Sequence, residues 1–205
     1  AAGLVGRFRS AHPGVTVRLV EPDEPSAVPE RVRSGASELG LAELPFAGDD
    51  LVTHELATQD FVAVLPPPTS PDGRSVAGRP ITLAALARSP IVTTSAGTST
   101  RRQLDEALAT AGLEVTIVVE TDHREALVAL VLAGAGASLL PAPLAAAAAV
   151  GGAVVRPVTP RVRRRVGLVH RDGPLSPAAA AFVALALGDD AGSPGRPTRP
   201  RPRRR

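Results

Sequence analysis

The chain of 205 residues contains no Cys, Met, Trp or Tyr, and only four Phe. Without cysteine it can form no disulfide, no thiolate nucleophile and no cysteine-ligated zinc or iron–sulfur centre. Scarce aromatic side chains also leave no platform on which bases or sugars could stack. No apolar run approaches the ~20 residues of a membrane span, and no secretory signal is recognised. Together with the absence of cysteine, this predicts a cytoplasmic protein.

Lysine is also missing, so all 23 basic residues are arginines. Six of them and no acidic residue lie in 191–205, which gives this tail a formal charge of +6. The other 17 arginines and all 20 acidic residues give residues 1–190 a charge of −3. Such a tail could bind nucleic acid non-specifically in a salt-dependent way, but arginine bias is also typical of a GC-rich genome. We expect residues 188–205 to be a disordered Arg/Pro-rich tail.

Helical and strand patterns alternate along the chain, which predicts an α/β fold with a largely parallel sheet. The predicted helices are 3–12, 26–34, 82–87, 101–111, 121–133, 144–150 and 176–187. The predicted strands are 15–20, 38–41, 60–65, 90–94, 115–120, 137–140, 153–158 and 165–170. The stretch 66–80, rich in Pro, Gly, Ser and Asp, predicts a loop between two α/β units.

The most informative stretch, residues 121–144, predicts a buried helix, a short strand and the start of another helix. Asp122 is expected to cap the first helix, with Glu125 reaching back to it. Gly134 supplies the left-handed residue that ends helices, and Pro141 stops the strand. This order predicts loops at one edge of a sheet, where a ligand can bind.

Seven segments follow one another at the intervals of a known family. They are FRSAHPGVTVRLVE, SGASELGLAEL, LVTHELATQDFVAVLP, ITLAALARSPIV, RRQLDEALATAGL, ALVALVLAGAGASLLP and GLVHRDGPLSPAAAAFVAL. In this order they resemble the effector-binding domain of LysR-type transcriptional regulators, over roughly residues 1–187. The FxxxHPGV and LVxAGxGxxLLP-like signatures carry most of this resemblance.

The resemblance implies a two-lobed α/β fold of the type 2 periplasmic-binding-protein-like class. The first lobe would comprise 1–65 with 165–187, the second 66–164, and two crossing strands would join them. A small effector would lie between the lobes, and the loop described below favours an anionic one, such as one bearing a carboxylate. Its binding would change how regulator molecules assemble on DNA.

The family also implies parts that these residues do not match. LysR-type regulators begin with a winged helix-turn-helix and a linker helix, and the first strand of the first lobe is expected to be missing as well. We therefore expect an N-terminally truncated domain, with DNA contacts made only by an absent N-terminal domain. If intact, effector domains of this kind would form homo-oligomers, and no membrane partner is expected.

The best local candidate for a ligand site is the loop 95–100, between a predicted strand and the predicted helix 101–111. Free backbone N–H groups and the positive end of a helix dipole suit a carboxylate or phosphate. The candidate contacts here are Ser95, Gly97, Thr98, Ser99, Thr100 and Arg101. The alternative is that Thr98 or Ser99 only caps the helix.

Further candidate contacts follow the next two strand signals. Thr121 and Asp122 lie at a strand's carboxyl end, where capping is their alternative role. Gly136 and Ser138 could contribute backbone groups to the same site. His170 lies on the predicted return strand, either as a surface or hinge side chain or as an imidazole that makes binding pH-sensitive.

No pattern indicates catalysis, a metal or a cofactor. The four histidines (12, 54, 123 and 170) have no metal-binding spacing, and neither GxSxG nor a P-loop lysine occurs. GAGASL follows a helix, where a dinucleotide motif must follow a strand. The hypothesis is therefore a non-enzymatic effector sensor, and the alternative is a free-standing solute-binding protein of the same fold.

Overall fold

The computed structural model describes residues 2–22, 24, 26–68 and 76–188. They divide into two compact units, one drawn from Ala1–Ala57 with Arg165–Arg205 and the other from Thr58–Arg164. The chain passes from one unit to the other inside two long strands, at 57–58 and 164–165. Nearly all of the predicted tail, and residues 69–75 of the predicted loop, lie outside the described residues.

The first unit combines three helices with strand segments. Its elements are α1 (Ala2–Ala11), α2 (Ala27–Arg33), β1 (Leu39–Leu44), the first part of β2 (Leu51–Leu65), the last part of β7 (Val154–Arg171) and α7 (Pro177–Leu187). Strand β1 pairs antiparallel with β7, which places Leu39 opposite His170. Phe8 of α1 is buried and meets the Phe182 ring of α7 edge-on at 5.1 Å.

The strand predicted at 15–20 is wrong: this segment is irregular and belongs to no sheet. Its end is not covered by other elements, since Leu19 and Val20 are 69% and 46% exposed. A strand also needs a neighbour for its backbone groups, and none of the described strands pairs with it. Arg9 holds the preceding turn instead, by donating hydrogen bonds to the carbonyls of His12 and Pro13.

The second unit contains the other helices and strands. They are the last part of β2, β3 (Ile81–Thr82), α3 (Leu83–Leu86), β4 (Ile91–Thr94), α4 (Ser99–Ala111), β5 (Ile117–Thr121), α5 (Ala126–Leu132), β6 (Ser138–Pro141), α6 (Ala142–Val150) and the first part of β7. Side chains of β6 alternate between two cores. Leu139 packs in the cluster that contains Leu104 of α4, whereas Leu140 packs in the cluster that contains Leu127 of α5. The strand is therefore covered by helices on both faces.

The pairing of the strands is mixed, so the prediction of a largely parallel sheet is wrong. The main sheet has the order β1-β7-β2-β6, with β3 beside β7, and β4 and β5 form a two-stranded sheet. Strands β3 and β7 are parallel, as are β4 and β5. Pairs β1–β7 and β2–β6 are antiparallel. A helical crossover makes two successive strands run parallel. The antiparallel pairs here join strands that are far apart in the sequence, so no single crossover sets their direction.

The strands predicted at 153–158 and 165–170 are one continuous strand, β7. Two of the arginines between the predicted strands contact β2 side chains. Arg163 Nε lies 2.7 Å from Asp60 Oδ1, and Arg164 Nε lies 3.0 Å from Gln59 Oε1. Such cross-strand pairs stabilise a sheet. In the same way β2 begins at Leu51, well before the predicted start at residue 60.

Most predicted helix ends are confirmed. Ser176 Oγ accepts a hydrogen bond from Ala179 N at 3.2 Å, so it caps α7 as expected. Gly112 ends α4 in the left-handed conformation, and Gly134, two residues past α5, has a φ of 83°. None of the helices in the described ranges has the length and apolar character to cross a membrane.

The start of α5 corrects one prediction. The helix begins at Ala126, and Glu125 stands at its N-cap position without a side-chain hydrogen bond. Asp122 lies outside the helix, where its carboxylate accepts a hydrogen bond from Ser95 Oγ. Thr121 Oγ1 accepts one from His123 N at 3.1 Å. The polar residues that resembled a capping box thus order the loop between β5 and α5.

Candidate ligand site

The carboxyl ends of β4 and β5 meet at one edge of their two-stranded sheet. The strands are parallel, with Thr94 opposite Thr121. Ser95 continues this contact, since its N–H donates to the Thr121 carbonyl at 3.2 Å and its hydroxyl donates to Asp122. Ser95, Thr121 and Asp122 are therefore brought together at the edge where parallel α/β units bind ligands.

Thr98 is the N-cap of α4, which is the alternative role considered for it. Its hydroxyl accepts from Arg101 N at 3.3 Å and donates to the Ser95 carbonyl at 2.8 Å. Thr94 Oγ1 also lies within hydrogen-bonding distance of it. Gly97 precedes the cap with a φ of 88°, a conformation that favours glycine. The single proton of this hydroxyl is therefore already used inside the loop.

The first two helical residues of α4 differ sharply in exposure. Thr100 is buried, with 3% of its surface exposed. Ser99 is partly exposed, and its Oγ lies 2.6 Å from Nη1 of Arg164 on β7. The guanidinium donates, so the Ser99 oxygen is the acceptor. Of these two hydroxyls, only that of Ser99 lies on the accessible side of the helix end.

Arg101 is held by two carboxylates of its own unit. Its Nε donates to Asp105 at 2.9 Å and its Nη1 to Glu120 at 2.7 Å. Partial burial, which lowers the pKa of Arg101, is outweighed by these hydrogen bonds, and the pKa is raised. These two carboxylates therefore neutralise much of the charge that Arg101 could offer to a ligand.

Arg164 was missed as a candidate in the sequence. Its guanidinium donates hydrogen bonds to Ser99 Oγ and to Gln59 Oε1, and it lies 5.3 Å from the centre of the Phe61 ring, in cation–π range. The run RVRRR at 161–165 gave no reason to prefer one arginine. The signal available in the sequence was strand alternation, which places residue 164 on the same face as Val162. Val162 is buried, so this face is the covered one.

The neighbouring arginines have other partners. Arg163 pairs with Asp60 at 2.7 Å, and Arg165, which lies in the first unit, pairs with Glu55 at 3.3 Å. Of these three adjacent arginines, Arg164 is therefore the one that reaches the amino end of α4. The positive pole of the helix dipole and this guanidinium together favour an anion beside Ser99.

Gly136 is not brought to this end of the sheet. A Cβ on it would lie 2.6 Å from the Pro90 carbonyl oxygen, and Ala137 N donates to that oxygen at 2.8 Å. Pro90 precedes β4, whereas the candidate loop follows it. At about 3.3 Å per residue, four strand residues separate the two ends by about 13 Å.

Ser138 is fully buried on β6, opposite Val64. Its hydroxyl has no hydrogen-bond partner within the part of the chain that the structure describes. Alternation along β6 puts it on the face of Leu140, which packs against α5. The hydroxyl therefore belongs to the core side of this strand and not to the loop.

Comparison with known proteins decides the family. Residues 1–190 match the family model of the LysR substrate binding domain. The chain belongs to this family. The resemblance noted in the sequence is thereby confirmed, and with it the predicted α/β, periplasmic-binding-protein-like fold class.

Individual relatives agree with this assignment. The HTH-type transcriptional regulator IlvR of Caulobacter vibrioides is 31% identical over 194 residues, which is 91% of this chain and 62% of that protein. The CcmR regulatory domain of Synechocystis PCC6803, solved in complex with 2-PG, has a TM-score of 0.76 at 19% identity, covering 95% of this chain and 92% of that one. The effector binding domain of QuiR, solved in complex with shikimate, has a TM-score of 0.73 at 20% identity, covering 92% and 88%.

Proposed function

We propose that this LysR substrate-binding domain senses a small anionic effector, which it binds at the amino end of α4. The observation that carries the proposal is the Arg164–Ser99 contact of 2.6 Å at that helix end. A guanidinium there adds positive charge to a helix terminus that already favours anions. An anion beside Ser99 would accept hydrogen bonds from the Arg164 guanidinium and from the Ser99 hydroxyl.

The proposed site retains part of the candidate set. Ser95, Gly97, Ser99, Thr121 and Asp122 surround the helix end or the sheet edge beside it. Thr98 supports the loop as its cap, and Arg101 contributes through its ion pairs. Asp122 would disfavour an anion next to Ser95, so we place the anionic group on the Arg164 side. Gly136 and Ser138 fall outside this proposal.

The role of the whole protein is also a proposal. The chain spans 62%, 37% and 53% of the lengths of three curated relatives. We propose that the domain works within a cytoplasmic transcriptional regulator whose DNA contacts and homo-oligomer contacts involve further segments. We also propose that the chain forms two lobes, 1–65 with 165–187 and 66–164. Similarity to an HTH-type regulator supports this choice over a free-standing solute-binding protein.

A thermal-shift screen tests the proposed site. The panel consists of small carboxylates and phosphates that include shikimate and 2-PG, the molecules present in the two similar domains. A ligand that binds only the native state raises the melting temperature. We expect Arg164→Gln to reduce the shift strongly and Ser99→Ala to reduce it less. Losing a charged hydrogen bond costs about 1.5–3 kcal/mol, which corresponds to roughly a 10- to 150-fold weaker affinity.

The matched control is Arg163→Gln. It removes the same charge from the same strand, but Arg163 contacts exposed Asp60 and not α4. An equal loss in both arginine variants would mean that net charge alone attracts the anion. A full shift in Arg164→Gln would remove this helix end from the site.

A further inference from the structure

Two histidines of the first unit face each other across neighbouring strands. His54 lies on β2 and His170 on β7, and these strands are adjacent in the main sheet. Their Nε2 atoms are 3.2 Å apart. Among the four histidines of the chain, neither of these was singled out by sequence spacing, because 116 positions separate them. Strand pairing alone brings them together.

The hydrogen bonds around His170 fix its tautomer. Its Nδ1 lies 2.8 Å from the backbone carbonyl of Arg171. A carbonyl oxygen only accepts, so this nitrogen carries the proton in the neutral ring. The Nε2 atom of His170 therefore presents a lone pair toward His54, and neutral His54 donates its own Nε2 proton to it.

The same spacing suits two ligands of one metal ion. Zinc–nitrogen bonds are about 2.0–2.1 Å long, so two nitrogens in tetrahedral positions are about 3.3 Å apart. A ligating histidine usually donates its other N–H to a carbonyl or carboxylate, as His170 already does to Arg171. We propose that His54 and His170 form a binding site for a divalent transition-metal ion such as Zn²⁺.

Binding requires only a local proton shift. The neutral His54 ring keeps one proton, which moves from Nε2 to Nδ1 as the ion replaces the hydrogen bond between the two rings. A histidine binds a metal ion through its neutral ring. His170 is 8% exposed and His54 is partly exposed, so the pair lies near the surface.

The protein supplies two ligands, and water completes the coordination. No group of three or more His, Cys, Asp or Glu side chains within the described ranges could hold a metal. The proposed site is therefore an open one, with coordination positions left for water or for a donor from another molecule. We expect an exchangeable ion and not a structural ion required for folding.

Calorimetric titration of the full chain with ZnCl₂ tests the proposal. We expect one Zn²⁺ per chain for the wild type, with affinity at least tenfold weaker in His54→Gln and in His170→Gln. The control is the double variant His12→Gln, His123→Gln, which removes the other two histidines and should bind as the wild type does. No binding by the wild type, or an equal loss in the control, would overturn the proposal.

A second variant distinguishes loss of a metal ligand from misfolding at the partly exposed His54 position. His54→Cys replaces one nitrogen ligand by a thiolate, which zinc also binds. We expect it to bind Zn²⁺ where His54→Gln does not, with both variants folded by circular dichroism. Weak binding by His54→Cys and His54→Gln alike would show that the pair is only a hydrogen bond.

Discussion

Replacing Thr98 tests whether this residue is a structural cap or a ligand contact. Its hydroxyl accepts from Arg101 N and donates to the Ser95 carbonyl, and buried Thr94 contacts it as well. Loss of an N-cap costs about 0.5–2 kcal/mol, and loss of a further hydrogen bond costs about 1 kcal/mol. We therefore expect Thr98→Ala to lower the free energy of unfolding by about 1.5–3 kcal/mol.

The assay is urea denaturation without any ligand, and the midpoint is compared at constant slope. Thr98→Ser is the matched control, since it keeps the hydroxyl and loses only a methyl group, and it should stay within about 0.5 kcal/mol of the wild type. If Thr98→Ala is equally close to the wild type, the hydroxyl does not hold this loop. A serine variant as unstable as the alanine variant would also refute the capping argument.

Three further changes test the packing and the ionisation of the fold. Leu127→Ala, at a fully buried site of α5, should destabilise the chain by about 2–5 kcal/mol in urea. Gly136→Ala should cost about 1–3 kcal/mol because its Cβ would meet the Pro90 carbonyl at 2.6 Å, whereas Gly14→Ala, with open space around it, should cost much less. The pKa of His54 is lowered from 6.5, so the unfolded chain binds this proton more readily, and stability should fall as the pH decreases through 6.5. His54→Gln should flatten that pH dependence in thermal melts, and an unchanged slope would contradict the assigned cause.

Local signals in the sequence predicted local structure well. Ser176 and Thr98 cap helices because a hydroxyl one position before a helix can reach the first free N–H groups. The ends of α4 and α5 were predicted from glycines that adopt left-handed conformations. Helix caps and helix ends depend on a few neighbouring residues, so they can be predicted from a single sequence.

Features that depend on distant partners were not predictable in the same way. The alternation at 15–20 is a strand pattern, but no described strand lies beside it. The continuity of β7 depends on contacts such as Arg163 with Asp60, more than a hundred positions away. Asp122 resembled a helix cap until the register of β4 and β5 placed it beside Ser95. Tertiary context overrides local preference at each of these places.

The candidate site also combines local features, which were predicted, with contacts between distant residues, which were not. The loop 95–100 was identified from the order of strand, hydroxyl-rich turn and helix, and its capping alternative was recognised. The contribution of Arg164 depends on β7 passing the amino end of α4, which no local pattern reveals. Likewise, the approach of His54 to His170 follows from strand pairing alone.

The central claim is that an anion binds beside Arg164 and Ser99 at the amino end of α4, and a nuclear magnetic resonance titration tests it most directly. The amide signal of Ser99 and the side-chain Nε–H signal of Arg164 would be followed while a stabilising carboxylate from the panel is added. We expect both signals to shift with the same saturation curve, and the Arg163 Nε–H signal to stay in place. A carboxylate that stabilises the domain but leaves Ser99 and Arg164 unchanged would contradict the claim.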